Sequence, residues 1–385
     1  MEKENLRIIL LVELSRPIGR DLVRGIIRYS RLYGPWSFYA EQLWIKDQIN
    51  KVKDWKADAV VVHYDDENVL NKVSELNIPT ISTNGFHKDK FPQFNDITGN
   101  NFQIGKIAAE YFLNRGFKNF AYCGAALPTS WSTQRAASFK EHIFDKHNNP
   151  TFSDWISTDI PKWDLEQKTM AQWLLSLPKP VAVFACNDER GQHVLNACRL
   201  ADIKVPFEVA VLGVDNDDIL CNLSDPPLSS IVLNFEKAGF QTAQAISDLA
   251  RPGANGKKEI TIEPVNVITR LSTDITAIED KTVLSALNFI KKNADKAVQV
   301  SDVAAYIGMT ERGLQKKFHK ALDTSVMKEI NRVRIDEFCD LLVKTDLTLW
   351  EIAGKLGFSS FDNISRFFQS QIGMPPTRYR KLHKL

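Results

Sequence analysis

PVAVFACNDERGQHVLNACRLADIKVPFEVAVLGVDNDDILCNLSDPPLSSI, residues 180–231, is the stretch that decides the fold. Two apolar, β-branched runs, VAVFAC and VAVLGV, flank a segment whose apolar residues recur at helical spacing. This order predicts a strand, a helix and a second, parallel strand. Polar pairs, Asn187-Asp188 and Asp215-Asn216, follow the two runs at once. Because open parallel sheets bind ligands at the carboxyl ends of their strands, the stretch also predicts a binding edge.

The same alternation extends through the first 277 residues. Amphipathic segments of helical period separate further strand-like runs, and this pattern predicts an α/β domain with parallel sheets. The further runs are RIILLVEL from Arg7, WSFYAEQ from Trp36, ADAVVVHY from Ala57, IPTIST from Ile78 and FKNFAYCG from Phe117.

The segment ITGNNFQIGK, residues 97–106, resembles a phosphate-binding loop only in outline. Five residues separate Gly99 from Gly105, where the motif has four, and Ile107 replaces the hydroxyl residue that would bind magnesium. A nucleotide-hydrolysing enzyme is therefore disfavoured. We expect a loop that runs into a helix, with Gly105 at a close-packing position.

Polar residues follow five of the predicted strands. Asp, Asn and Arg side chains at neighbouring strand ends suit a ring of hydrogen bonds around a small polyol. The alternative for any single Asp or Asn is a helix N-cap. The three remaining strand ends are Ser15-Arg16-Pro17, Asp65-Asp66 and Asn84-Gly85.

Trp131 and Arg135 add an aromatic platform and a guanidinium to this edge. They stand four residues apart on one predicted helix and so share a face. An indole suits the C–H face of a sugar ring. The alternative is that Trp131 is a packing residue and that Arg135 pairs with an acidic neighbour.

Residues 180–231 resemble the ligand-binding core of LacI/GalR-type repressors, which share the two-lobed fold of periplasmic sugar-binding proteins. The resemblance covers most of residues 6–270. It implies that Asn187, Asp215 and Arg135 line a sugar cleft. Together with the strand ends, the expected sugar-binding residues are Arg16, Asn84, Trp131, Arg135, Asn187, Asp188 and Asp215.

The last hundred residues contain an internal duplication. Val303-Ala304 aligns with Ile352-Ala353 at an offset of 49, and Leu314 aligns with Ile364 at an offset of 50. Each copy predicts a helix, a turn that contains glycine, an N-cap and a second helix. This is the helix-turn-helix pattern, in which the second helix enters the major groove of DNA.

The duplication, with its closing run GFSSFDNISRFFQSQIGMPPTRYRK, resembles the AraC family of transcription regulators. Apolar positions of each second helix belong to the core, which leaves the opposite face for DNA. Arginine suits guanine edges and Asn or Gln suits adenine, whereas Lys316 has phosphate contact as an equal alternative. The expected DNA-binding residues are Arg312, Gln315, Lys316, Phe361, Asp362, Asn363 and Arg366.

Charge and composition agree with this division. From Glu279 onward the chain has 18 Lys+Arg against 13 Asp+Glu, a net charge of +5, while the remainder carries −3. Five scattered cysteines with no C-x-x-C pair predict buried, reduced thiols and neither a metal site nor a cofactor. Since no apolar run of about 18 residues and no signal-peptide core is present, we expect a cytoplasmic protein without a membrane partner.

The expected fold is therefore a two-lobed α/β domain over residues 1–277 and an all-α domain with two helix-turn-helix motifs over residues 278–385. A sugar cleft placed before an AraC-type domain resembles the regulators of xylose operons. The resemblance implies a non-enzymatic activator that binds D-xylose and double-stranded DNA half-sites. It further implies a homodimer that can contact RNA polymerase. A regulator of the same architecture that responds to another sugar, such as arabinose, is the alternative.

Two further classes of protein remain as rivals. Asp65, Asp66 and Asp215 in one cleft would suit a carbohydrate-active enzyme, although such an enzyme has no use for a DNA-reading duplication. A DNA-repair protein with an AraC-like segment needs a reactive cysteine in a Pro-Cys-His-like setting, which neither Cys123 nor Cys186 has.

Overall fold

The structure is a computed structural model, and it divides into two compact units. Residues 1–111 and 118–275 form the N-terminal unit, and residues 276–385 with the short segment 112–117 form the C-terminal unit. The described residues are 5–40, 55–63, 66–83, 90–127, 129–147, 149–156, 162–250, 257–274, 280–294, 296, 298–322, 324–358, 361–372 and 374–383.

Two six-stranded sheets organise the N-terminal unit. The first has the strand order β11-β5-β4-β3-β1-β2 and is parallel throughout. Apolar residues on β1 and β3, among them Ile9 and Val60, pack with helix α2 (Glu67–Ser74) into the core of the first lobe, which is built on this sheet. Its strands are β1 (Arg7–Val12), β2 (Ser37–Ala40), β3 (Ala59–His63), β4 (Thr80–Thr83), β5 (Asn95–Gly99) and β11 (Glu259–Ile262).

The second sheet has the order β12-β10-β9-β8-β6-β7 and contains both decisive runs of the sequence. Its strands are parallel except β12, which pairs antiparallel with β10 and corrects the expectation of purely parallel sheets. The predicted two-lobed α/β fold is otherwise confirmed. The strands are β6 (Asn119–Cys123), β7 (Thr151–Trp155), β8 (Val181–Ala185), β9 (Val209–Val214), β10 (Ser229–Leu233) and β12 (Pro264–Ile268).

The helices of this unit connect the strands. They are α1 (Pro17–Tyr33), α2 (Glu67–Ser74), α3 (Asn101–Leu113), α4 (Ser130–Lys146), α5 (Trp163–Ser176), α6 (Asp188–Leu200), α7 (Asp218–Leu223) and α8 (Phe235–Leu249). Because α3 leads from the first sheet to the second and α8 leads back, the chain passes repeatedly between the lobes.

Residues 97–99 correct one sequence-based expectation, because they form the end of β5 and not a loop. This strand escaped detection since it is polar yet buried. Asn95 donates from Nδ2 to the Thr80 carbonyl and accepts from the backbone N–H of Lys258, so that its amide bridges both neighbouring strands. The helix after it begins as predicted, and Gly105 is a close-packing position: a Cβ there would lie 2.6 Å from the Arg135 carbonyl oxygen.

Helices α1 and α8 cross at two glycines. A Cβ on Gly25 would lie 2.0 Å from the Glu236 carbonyl oxygen, and one on Gly239 would lie 1.9 Å from the Leu22 carbonyl oxygen. Only glycine permits this approach, which joins the start of the N-terminal unit to a helix more than 200 residues later.

The C-terminal unit is helical and shows the predicted duplication. Each first helix ends in a glycine with positive φ, Gly308 at 73° and Gly357 at 68°, and the next N–H bonds back five residues, from Met309 to Ala304 and from Phe358 to Ala353. Leu314, Phe318, Ile364 and Phe368 are fully buried. The helices are α9 (Lys281–Lys292), α10 (Val300–Ile307), α11 (Glu311–Leu322), α12 (Val326–Lys344), α13 (Leu349–Lys355), α14 (Phe361–Ile372) and α15 (Pro376–His383).

Candidate functional site

Arg135 is a buried arginine at the edge of the second sheet, and it is only 6 % exposed. Its Nε donates to Asn101 Oδ1 at 3.0 Å and its Nη1 to the Cys186 carbonyl at 2.5 Å. The Trp131 ring lies over the guanidinium at 4.8 Å, as expected from their helical spacing. Among the described residues no acceptor is bonded to Nη2, so that this NH₂ group remains available for a ligand.

Asp215 follows β9 directly and faces the same region. Among the described residues no hydrogen bond reaches its carboxylate, although the positive charges of Arg135 and Arg16 act on it. Burial raises the pKa of Asp215 to about 6, and the two arginines limit the rise. A half-buried carboxylate without a protein donor beside an arginine with a spare N–H is suited to a polar, neutral ligand with several hydroxyl groups.

Asn187 and Asp188 stand at the start of α6 with different roles. Asn187 is the N-cap, since its Oδ1 accepts from the backbone N–H of Arg190, and its NH₂ group is left to donate elsewhere. Asp188 is buried, and its two oxygens accept from Ser230 Oγ at 2.5 Å and from the Asp217 backbone N–H at 2.7 Å. These bonds make Asp188 a residue that positions the next strand ends, which differs from the expected sugar contact.

Arg16 lies at the other lobe of the unit and is more than half exposed. Its Nη1 lies 3.3 Å from Glu189 Oε2 on α6, so the pair joins the end of β1 to the second lobe. Of the other expected residues, Asn84 and Asp65 lie outside the described residues, and Asp66 is the N-cap of α2.

His63 is a polar side chain at the end of β3 that was not among the residues expected from the sequence. Its position at a strand end was the signal that could have indicated it. Its Nδ1 is hydrogen-bonded to Thr83 Oγ1, and Glu13 and Arg16 are its charged neighbours. Burial lowers the pKa of His63, which keeps the ring neutral at neutral pH.

The first reading helix, α11, presents Arg312 and Lys316 on an exposed face. Gln315 does not share that role fully, because its Oε1 accepts from the Val326 backbone N–H at 3.2 Å and thereby caps the start of α12. Lys317 anchors the same helix to the Asp280 carboxylate at 2.5 Å. One expected base-reading side chain is therefore engaged within the domain.

The second reading helix, α14, has Asn363 and Arg366 exposed, while the side chains of Phe361 and Asp362 are outside what the structure describes. Arg334 was not predicted. It donates from Nη2 to the Leu356 carbonyl at 2.7 Å, and its guanidinium stacks 4.3 Å from the Phe358 ring centroid. This side chain fixes the turn that precedes α14.

Three further features concern the cysteines, possible metal ligands and possible membrane helices. The five cysteines are buried and form no disulfide, and burial raises the pKa of Cys123 to about 11, so that its thiol is protonated at neutral pH. Within the described ranges no cluster of His, Cys, Asp and Glu is suited to a metal ion. The described helices include none that is long and apolar enough to cross a membrane.

Comparisons with known proteins cover nearly the whole chain. Residues 7–102 match the family model of the XylR N-terminal domain, residues 109–273 that of the periplasmic binding protein-like domain, and residues 303–382 that of a helix-turn-helix domain. The xylose operon regulatory protein of Escherichia coli (strain K12) is 26% identical over 384 residues, which cover 98% of this chain and 97% of that protein.

Two solved structures share the fold of this chain. The structure of the xylose-binding transcription activator xylR aligns over 100% of both chains with a TM-score of 0.63 and 24% identity. The dimeric Lac repressor aligns over 70% of this chain and 99% of its own, with a TM-score of 0.54 and 15% identity. The predicted combination of a periplasmic binding protein-like domain and a helix-turn-helix domain is confirmed by the three family models and the full-length match.

Proposed function

We propose that this XylR-like chain, a DNA-binding transcription regulator and not an enzyme, activates genes of pentose use when its N-terminal cleft binds D-xylose. The observation that carries the proposal concerns the hydrogen-bonding groups of Arg135 and Asp215 that the protein itself does not engage. Arg135 keeps its Nη2 amino group for a ligand, and Asp215 has no protein donor, both among the described residues. The regulator class sets aside the rival of a sugar-cleaving enzyme.

Each cleft residue has a proposed contact. Arg135 would donate to a ring or hydroxyl oxygen, Asp215 would accept from two neighbouring hydroxyls, and Trp131 would cover a C–H face. Asn187, Arg16 and Asn84 would complete the ring of hydrogen bonds. Asp188 would act on the sugar only through the strand ends that it positions.

The proposed DNA contacts lie on α11 and α14. Arg312, Asn363 and Arg366 would read base edges, and Lys316 would contact either a base or a phosphate. Phe361 and Asp362 keep the roles expected from their positions. Gln315 would contribute through its Nε2 alone, because its oxygen caps α12.

The proposal extends to the assembly of the protein on DNA. Residues 1–277 and 278–385 are the proposed domains, and a homodimer would bring two C-terminal units to repeated half-sites of a promoter, where they could engage RNA polymerase. The dimeric state of the Lac repressor structure supports this choice. The protein would act in the cytoplasm.

Calorimetric titration with D-xylose, L-arabinose, D-ribose and D-glucose tests the ligand. D-xylose should bind most tightly. Arg135→Lys should weaken that binding, and Arg199→Lys, on the exposed face of α6, should not. Tighter binding of L-arabinose would show that arabinose is the effector. Turnover of aryl glycosides would contradict the proposal that the protein is a regulator with no enzymatic activity.

A further inference from the structure

The turn after β9 has a backbone that side chains must hold in place. Asp215 and Asn216 have φ values of 102° and 53°, in the region that residues other than glycine rarely adopt. The N–H of Asp215 donates to the Ile231 carbonyl at 3.0 Å, and that of Asn216 to Ser230 Oγ at 3.0 Å. Such strain persists only where the surroundings enforce it, so the conformation of this turn depends on its neighbours.

Arg270 reaches this turn from 54 residues farther along the chain. Its Nη2 donates to Asn216 Oδ1 at 2.9 Å and its Nη1 to the Leu228 carbonyl at 2.9 Å. Its side chain is only 12% exposed, and Nη2 also lies 3.6 Å from Asp218 Oδ1. The guanidinium thus bonds residues on both sides of α7, directly after Asp215.

The backbone around Arg270 is equally well anchored. We call residues 269–273 the output segment. The Arg270 N–H donates to Ser229 Oγ at 2.7 Å, Ser272 Oγ donates to the Val211 carbonyl at 2.7 Å, and Thr273 Oγ1 donates to Ser229 Oγ at 2.6 Å. Ser272 and Thr273 are fully buried. A shift of β9 or of the start of β10 therefore moves the output segment.

A second connection reaches the output segment from Arg135. Helix α3 begins at Asn101, which accepts from Arg135 Nε, and ten residues later its Tyr111 hydroxyl is bonded to Thr269 Oγ1 at 2.9 Å and to Thr273 Oγ1 at 2.6 Å. At about 1.5 Å per residue, the helix carries this contact some 15 Å from the cleft. Both residues that carry the proposed sugar site therefore connect to residues 269–273.

We propose that Arg270 and Tyr111 are positioning residues that transmit sugar binding to the helical unit through the output segment. The inference rests on the proposed function. In sequence, Asp274 and residues 275–279 alone separate the output segment from Asp280, just before α9. When a sugar binds to Asp215 and Arg135, Arg270 and α3 shift the output segment, and its position sets how the reading helices are presented.

The test measures operator affinity of the full chain, without sugar and at saturating D-xylose, in Arg270→Ala and Tyr111→Phe. The wild-type affinity ratio should be roughly 5- to 150-fold. In Arg270→Ala it should fall below about twofold, and Tyr111→Phe should reduce it by about threefold or more. Sugar binding by calorimetry and DNA binding without sugar should persist in both. Arg199→Ala and Tyr33→Phe, two exposed side chains of the same unit, are the matched controls and should keep the wild-type ratio.

The outcomes separate the two proposals. If no pentose changes the operator affinity of the wild-type protein, both the proposed function and this inference are wrong. A normal wild-type response that survives unchanged in a folded Arg270→Ala variant overturns this inference alone. Should Arg270→Ala fail to fold, Tyr111→Phe decides, because it removes a single hydroxyl group: an unchanged ratio overturns the inference and a reduced ratio supports it.

Discussion

The cleft and the reading helices prepare their binding residues in opposite ways. In the cleft, Arg135 is buried and fixed by Asn101 and the Cys186 carbonyl before any ligand arrives. On the reading helices, Arg312 and Lys316 are exposed, and the helices themselves are fixed from inside the domain by Gln315 and Arg334. The sugar site is thus organised at the level of side chains, whereas the DNA site is organised at the level of helices.

This difference predicts that substitutions near the cleft affect stability and binding together, whereas those on the reading faces affect DNA binding alone. The largest effect is expected for Arg190→Ala. Arg190 and Glu166 form a buried pair at 2.7 Å, in which Arg190 also donates to the Gly124 carbonyl. Removal of the guanidinium leaves the buried Glu166 carboxylate without its hydrogen-bonded partner and with His193 Nδ1 at 3.8 Å, which should cost about 3–5 kcal/mol of unfolding free energy in urea denaturation.

The control for that experiment is Arg199→Ala on the same helix, where the arginine is exposed. It should change the unfolding free energy by less than about 0.5 kcal/mol. Equal losses in both variants would contradict the claim that buried partners organise this lobe.

The next effect is expected for Arg135→Lys, which keeps the charge but removes the planar set of donors. Loss of the bonds to Asn101, to the Cys186 carbonyl and to the ligand should weaken D-xylose binding by about 1.5–3 kcal/mol, or roughly 10- to 150-fold. Calorimetry measures the affinity, and operator binding without sugar should be unchanged. A variant with wild-type sugar affinity would remove Arg135 from the site.

Arg366→Ala tests the other side of the comparison. Because Arg366 lies on the exposed face of α14, its loss should weaken operator binding by about 1–3 kcal/mol and leave the melting temperature and D-xylose affinity unchanged. Gln371→Ala, exposed at the end of the same helix, is the control. A fall in thermal stability that matches the loss of DNA affinity would show that this helix is not organised as described.

The smallest effect concerns pH. Asp215 has a raised pKa, about 6 in place of 3.8, so its stabilising contribution is complete below about 3.8 and is lost as pH rises through 6. Sugar binding runs the other way, since hydroxyl groups donate to the ionised carboxylate. D-xylose affinity should fall about tenfold from pH 7 to pH 5, close to 1.4 kcal/mol, and Asp215→Asn should flatten this profile. A wild-type profile that is flat over this range would contradict the role given to Asp215.

The sequence predicted what depends on local pattern. Short apolar runs predicted β1, β3, β8 and β9, and the matching positions of Leu314 and Ile364 predicted the duplicated helix-turn-helix. The spacing of Trp131 and Arg135 likewise predicted that they share one face of a helix. These features are set by the periods of strands and helices, which neighbouring residues determine.

What escaped prediction depends on partners that are distant in sequence. Strand β5 is polar because Asn95 bonds two neighbouring strands, and Asp188 is buried because Ser230, 42 residues later, donates to it. Gln315 was expected to read a base, yet its oxygen caps α12. The spacing of residues along the sequence does not show which polar side chains will hydrogen-bond to a distant segment.

Operator binding by the full-length protein, with and without D-xylose, tests the central claim most directly. Fluorescence anisotropy with a promoter fragment of two half-sites would measure it at several salt concentrations. We predict that D-xylose raises the affinity, that D-glucose does not, and that the increase disappears in Arg135→Ala. An affinity that is the same with and without every pentose would contradict the account.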